Sequence, residues 1–254
     1  MNWRDRKAEL RETFQEAGYV VIPQFLKSKE VQEVRQNLNR FVHEVAPTLP
    51  REEVYYEDRG DHSTIKQIPR LQVHDEYFHQ WHDQGRCRDL AEVLLDGPVL
   101  PWTMQYFNKP PGIGEPTPAH QDGYYFKLTP CEGVTMWLAL EDVDEENGCI
   151  RYIQGSNRRG MRPHGSTDTL GFSQGITDYC DTDTANEVVL PAGPGDLIVH
   201  HALTIHRADG NRSAKRTRQA LGFIYFAEHA KEDVEAQQAY QDRLAQERIK
   251  AGKL

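Results

Sequence analysis

The tripeptide His120-Gln121-Asp122, within Pro118-Ala119-His120-Gln121-Asp122-Gly123-Tyr124-Tyr125, sets an imidazole and a carboxylate at alternate positions. In an extended segment alternate side chains share a face, so His120 and Asp122 would point one way and Gln121 the other. One further imidazole would complete a 2-His-1-carboxylate set, which holds non-heme Fe(II) and leaves coordination positions open. A bare His-x-Asp also arises by chance, as a strand end with a surface histidine and a turn aspartate. A metal reading therefore needs a third ligand from a later strand.

The run Leu197-Ile198-Val199-His200-His201-Ala202-Leu203-Thr204-Ile205-His206 offers three candidates: His200, His201 and His206. A histidine among apolar neighbours is usually a core residue, so the run alone does not choose. A polar turn, Arg207 to Ser213, follows His206 and favours it. Beyond the turn, Arg218 opens the apolar run Gln219 to Phe226. A guanidinium stays protonated and is costly to bury unpaired. A dicarboxylate would supply an anion that its fork can grip in bidentate fashion; a salt bridge to a neighbouring acid would satisfy it too.

Taken together, His120-Gln121-Asp122, Trp137, Gly193-Pro194-Gly195-Asp196, His206, Asn211-Arg212-Ser213 and Arg218 resemble the phytanoyl-CoA dioxygenase family of Fe(II)/2-oxoglutarate oxygenases. The resemblance runs from about Gly18 to Ala227 and is most specific between Gln105 and Phe226. It implies a double-stranded β-helix, the jelly roll also seen in cupins, flanked by helices. It implies His120, Asp122 and His206 as iron ligands and Arg218 on the distal carboxylate of 2-oxoglutarate. Gln105, Asn108 and Trp137 fall where family members line the co-substrate pocket. The implied reaction uses O2 to hydroxylate an unactivated C–H bond and releases succinate and CO2. Two departures stand out. Family members often carry a hydroxyl residue two positions after the distal histidine, where this chain has Ala208. The spacing from Asn211 to Arg218 is one residue longer than the common form, which makes Arg216 a competitor for the anchor.

The supporting elements are legible in outline. Leu10, Phe14 and Ala17 recur at helical spacing up to Gly18, and Tyr19-Val20-Val21-Ile22 reads as a buried strand stopped by Pro23. Ser28 opens a second helix with Val34, Leu38, Phe41 and Val45 on one stripe. Two short helices are expected near Asp75–His82 and Arg86–Leu95. From Trp102 onward, short apolar runs broken by Gly and Pro predict strands of a sandwich or barrel, at 104–108, 133–140, 149–153, 187–190, 196–201 and 218–226. A charged, solvated helix is expected over about 231–250. We thus expect one domain over 1–254: helices in about 1–100 supporting a β core of about 101–227, then the C-terminal helix.

Between Pro47 and His74 the pattern is irregular, a place where substrate contacts often sit. Lys66 and Gln67 are the first substrate candidates, because Ile65 and Ile68 flank them and would tuck the stretch against the barrel mouth. Tyr55, His74 and Tyr124 are further candidates. Such a pocket would be polar and partly cationic, suited to a small polar or anionic metabolite.

Composition excludes other classes. The 254 residues carry 30 Lys plus Arg against 39 Asp plus Glu, a formal charge of −9 that argues against nucleic-acid or anionic-membrane surfaces. No apolar run approaches the ~20 residues of a spanning helix. Met1 to Arg6 is charged with no apolar leader, and Cys87, Cys131, Cys149 and Cys180 form no C-x-x-C pair, so a cytoplasmic protein with reduced thiols is expected. Two other functions fit the ligand set alone: a cupin-like metal-dependent isomerase or lyase that does not use 2-oxoglutarate, and a non-catalytic metal-binding module. The isomerase or lyase would have no need of Arg218, and an intact His120, Asp122 and His206 set argues against the module.

Overall fold

A computed structural model describes residues 2–240 and 242. The N-terminal part holds α1 (Lys7–Ala17), β1 (Tyr19–Ile22), α2 (Ser28–Arg40), β2 (Tyr55–Tyr56), β3 (Ile65–Ile68), α3 (Leu71–His74), α4 (Glu76–Asp83) and α5 (Arg86–Leu94). There follow β4 (Val99–Phe107), β5 (Thr117–His120), α6 (Gly123–Phe126), β6 (Leu128–Thr129), β7 (Gly133–Ala139), β8 (Ile150–Ile153), β9 (His164–Ser166) and β10 (Gln174–Ile176). The chain continues through α7 (Asp181–Ala185), β11 (Glu187–Leu190), β12 (Leu197–His201), β13 (His206–Ala208), β14 (Ala220–Ala227) and β15 (Lys231–Glu232).

Seven strands pair antiparallel in the order β1-β12-β7-β14-β4-β3-β2, and four more in the order β11-β8-β13-β5. Alternation along β7 shows how the layers form. Val134, Met136 and Leu138 pack with Phe14, Leu38 and Leu90 of the helices, while Trp137 and Ala139 meet Ile150 and Tyr152 of the smaller sheet. Every residue of β7 and β14 is buried, because helices cover one face and the second sheet covers the other. The result is a helix-flanked jelly roll.

Two expectations need correction. The β core does not begin near residue 101: β1, β2 and β3, from the N-terminal hundred residues, join the edges of the large sheet. β4 also starts earlier, at Val99, and runs through Pro101. There its pairing with β14 slips between Ile224 and Tyr225, a break that a residue without an N–H can occupy. The expected C-terminal helix appears over 234–240, capped by the Asp233 carboxylate, which accepts from the Ala236 N–H at 2.9 Å. It is not solvated throughout: Tyr240 is buried. The remainder of that expectation, apart from residue 242, lies outside the described residues.

Candidate functional site

His120 ends β5 and His206 begins β13, and the two are direct antiparallel partners. Residues so paired place their side chains on one face about 5 Å apart, and here the ring centroids lie 4.1 Å apart. Each ring is fixed from behind by its own chain. The Nδ1 of His120 lies 2.7 Å from the Pro118 carbonyl, and that of His206 lies 3.0 Å from the Thr204 carbonyl. Both Nδ1 atoms therefore donate, and both Nε2 lone pairs face the interior, the arrangement metal-bound histidines adopt.

Asp122 comes from the turn after β5. The strand stops at His120, and Asp122 has helical backbone angles (φ −59°, ψ −34°) as α6 begins, so the His-x-Asp segment is extended only to its first member. Gln121 does turn away, as expected: its amide donates to the carbonyls of Gly160 and Leu203. Gly123 permits the turn, since a Cβ there would sit 2.3 Å from Cys131 Sγ. Asp122 Oδ1 ends 3.3 Å from His120 Nε2 and 3.7 Å from His206 Nε2. One donor atom from each residue lies within 4.8 Å of the others, and this is the cluster of metal-ligand type found among the described residues. Burial would raise the Asp122 carboxyl, but the imidazoles, His206 foremost, outweigh it and hold it well below the usual carboxylate range. Burial, with His120 and His200 alongside, keeps His206 neutral at physiological pH. A carboxylate and two neutral imidazoles suit a divalent transition metal.

The cluster opens into a cavity of about 250 Å³. Arg218 enters it from the segment just before β14, 5% exposed, with its guanidinium carbon 5.4 Å from the centroid of the Trp137 ring. Its Nε has no hydrogen-bond partner, and among the described residues no carboxylate pairs with it. Burial draws its pKa down to about 10, which leaves it charged at neutral pH. The competitor Arg216 is spoken for, 2.8 Å from Asp144 and 2.5 Å from Glu146 on the outside. Asn211 explains the preceding loop: its amide donates to the Lys109 and Arg216 carbonyls, while its oxygen accepts from the Ser213 N–H.

Gln105, Asn108, Trp137, Lys66, Gln67 and Tyr55 all line the same cavity, as does Ala208. Gln67 donates to Gln105 at 2.5 Å, and Asn108 donates to the Ile65 carbonyl at 2.8 Å. Lys66 forms a buried ion pair with Glu57 at 3.1 Å. Tyr124 and His74 lie elsewhere. Tyr124 stacks on His164 at 4.4 Å beneath the Lys127 ammonium, and His74 pairs with Glu53 at 2.6 Å beside a separate depression. Both departures have one cause: Tyr124 sits in α6 and His74 in α3, where direction no longer alternates as it would in a strand.

Sequence reasoning weighed His200 only as a metal ligand, and missed Thr135, Tyr152, Phe172 and Tyr240. Thr135 donates to Asp122 Oδ2 at 2.5 Å, and His200 Nε2 lies 3.0 Å from the same oxygen. Strand alternation from Trp137 would have found Thr135, and alternation along β12 would have turned His200 inward and His201 outward, onto Phe14. Phe172, from the β9–β10 loop, lies 5.2 Å from the His120 ring. The Tyr240 hydroxyl reaches Ser173 of that loop at 2.8 Å. No local pattern signals either contact.

The family model of phytanoyl-CoA dioxygenase (PhyH) matches residues 14–220. The chain belongs to the phytanoyl-CoA dioxygenase family. It is 26% identical over 229 residues to the peroxisomal phytanoyl-CoA dioxygenase of Bos taurus, covering 81% of this chain but only 64% of the bovine protein's length. Among solved structures, EvdO2 from Micromonospora carbonacea var. aurantiaca, complexed with 2-oxoglutarate, superposes with a TM-score of 0.70 and 27% identity, covering 88% of this chain and 91% of that one. The epimerase SnoN, in complex with Fe3+, alpha ketoglutarate and nogalamycin RO, gives a TM-score of 0.72 over 90% of this chain and 86% of its own, at 22% identity, and so attests the fold alone. In this family member the residues present fit iron and 2-oxoglutarate: a donor set of the right chemistry, with a buried guanidinium lacking an anion in the same cavity.

Proposed function

We propose that this chain is an Fe(II)- and 2-oxoglutarate-dependent dioxygenase that hydroxylates an unactivated C–H bond of a small, polar metabolite, consuming O2 and releasing succinate and CO2. The observation that carries the reading is Arg218: buried, charged, without a carboxylate, and sharing a cavity with two histidines and an aspartate. An isomerase or lyase that does not use 2-oxoglutarate would have no use for it, and an unanswered buried charge is expensive to keep. EvdO2, which binds 2-oxoglutarate, supports the same reading.

Bound Fe(II) and 2-oxoglutarate would supply the oxidising chemistry, so no side chain needs to act as nucleophile. The chain's residues hold and shield. His120 and His206 would present Nε2, Asp122 would present an oxygen, and Arg218, beside Trp137, would receive the distal carboxylate. Phe172 and Tyr125, whose rings lie 5.2 and 5.9 Å from that of His120, keep bulk water from the metal face. The case for an anionic substrate loses its main support, because Glu57 already neutralises Lys66. Gln67, with a buried Oε1 that lacks a donor, is the substrate contact we favour, and it suits a hydroxyl or amine.

We read residues 1–254 as one oxygenase domain. No helix among the described residues is long and apolar enough to cross a membrane. The four cysteines are unpaired, which supports a reducing, cytoplasmic setting.

The test begins without oxygen: Fe(II) plus 2-oxoglutarate should give a weak visible charge-transfer band. Admitting O2 with a panel of small polar compounds, acids, phosphonates and acyl thioesters should then release succinate, stimulated by the true substrate. Metal binding with neither band nor succinate would instead favour the isomerase.

A further inference from the structure

His200 is a candidate ligand that the metal set leaves over, yet it is buried against that set. Its Nε2 lies 3.0 Å from Asp122 Oδ2, and its ring centroid is 4.3 Å from that of His206. Behind it, the Tyr152 hydroxyl lies 2.7 Å from His200 Nδ1. Tyr152 is itself clamped by the ring of Tyr19, stacked at 4.8 Å and 10°. Four strands contribute: β1 holds Tyr19, β8 holds Tyr152, β12 holds His200 and β7 holds Thr135. Thr135 and His200 reach one carboxylate oxygen, and Tyr152 and Tyr19 back His200 in turn.

We propose that His200 is a positioning residue that, backed by Tyr152, makes Asp122 a one-oxygen metal ligand. This rests on the metal-centre reading above. A carboxylate near a divalent ion can give one oxygen or both. Here Oδ2 takes the Thr135 hydroxyl at 2.5 Å and His200 Nε2 at 3.0 Å, whereas Oδ1 faces the Nε2 atoms of His120 and His206. A carboxylate oxygen can only accept, so His200 carries a proton on Nε2 and donates it to Asp122, while the Tyr152 hydroxyl at Nδ1 fixes the ring from behind. Oδ2 is thereby withheld, and a coordination position stays open for 2-oxoglutarate or O2. Partners that orient ligands in this way are commonly worth about 10- to 100-fold in metal affinity.

Co(II) serves as the probe, since its visible spectrum reports donor number and geometry. Wild-type protein, His200→Phe, His200→Gln and Tyr152→Phe would be titrated with Co(II) and with Fe(II), and each variant's fold checked by circular dichroism. His200→Phe removes one of the two groups that hold Oδ2 back and leaves only Thr135, so its Co(II) spectrum should shift towards higher coordination and its Fe(II) affinity should fall about 10- to 100-fold. His200→Gln, whose amide can still donate, should restore most of both. Tyr152→Phe should fall between. A His200→Phe variant with the wild-type spectrum and affinity overturns the proposal while leaving the metal centre standing. So does a His200→Phe spectrum that has lost a nitrogen donor, which would make His200 itself a ligand. Wild-type protein that takes up neither ion overturns both readings.

Discussion

At the scale of the residue, function rests on which groups are paired and which are not. Replacing His206 or Asp122 with Ala should abolish Fe(II) binding and succinate formation together, as anaerobic titration and a succinate assay would show. Arg218→Met removes a charged anchor rather than a ligand. It should leave Fe(II) binding intact and weaken 2-oxoglutarate about 10- to 100-fold, the worth of roughly 1.5–3 kcal/mol from charge-assisted hydrogen bonds. An unchanged affinity for 2-oxoglutarate would remove the main support for the proposed function. The residues most legible in the sequence were those whose chemistry is scarce, such as His120, Asp122, His206 and Arg218. Lys66 was legible as a cation but not as a neutralised one, because Glu57 meets it through a strand pairing, β2 with β3, that the irregular stretch gave no sign of. The inward pair Thr135 and His200 could have been read from strand alternation, had the inner face been fixed from Trp137.

At the scale of the element, the site depends on where strands stop. β5 ends one residue before the turn that carries Asp122, and Gly123 is the residue whose missing side chain allows it. Gly123→Ala would drive a methyl group into Cys131 and the Ala202 carbonyl. The expected outcome is a folded protein whose Co(II) affinity drops at least tenfold, checked by titration alongside circular dichroism. The helix at 234–240 meets the cavity from above through Gln237 and Tyr240. Tyr240→Ala should raise the substrate KM several-fold and leave the anaerobic charge-transfer band unchanged, because Tyr240 touches Ser173 and Tyr125 rather than the ligands. The helix itself was legible from its charge pattern. Its buried tyrosine was not, since a lone aromatic on a polar helix has no periodicity to betray which surface it meets.

At the scale of the whole molecule, the apolar alternation of the later strands announced the jelly roll. The three strands lent by the N-terminal hundred residues were hidden in short or irregular segments. Packing of the helices on the large sheet also buries two histidines, His82 of α4 against Tyr225 and His201 of β12 against Phe14. Burial draws both His82 and His201 down to about 4 from an ordinary 6.5. Both stay neutral in the fold while the unfolded chain takes up protons near 6.5. Acidification from about 6.5 therefore favours unfolding, and the loss levels off below about 4, where the folded side chains protonate too. For His82 the penalty at pH 5 is on the order of 2 kcal/mol, and less for the more exposed His201. Thermal melts at pH 7.5 and 5 should show a lower Tm at pH 5, and His82→Gln should reduce the difference.

The division of labour between the two sheets has one more consequence. His120 and His206 hang from the four-stranded sheet, and Arg218 stands just before β14, the middle strand of the seven-stranded one. Facing sheets keep a spacing of about 10 Å set by their packed side chains. An oxo-diacid stretched between the two is thus gauged by a calliper whose jaws the core holds rigid. Oxaloacetate, one carbon shorter, and 2-oxoadipate, one carbon longer, should each support far less CO2 release than the five-carbon acid.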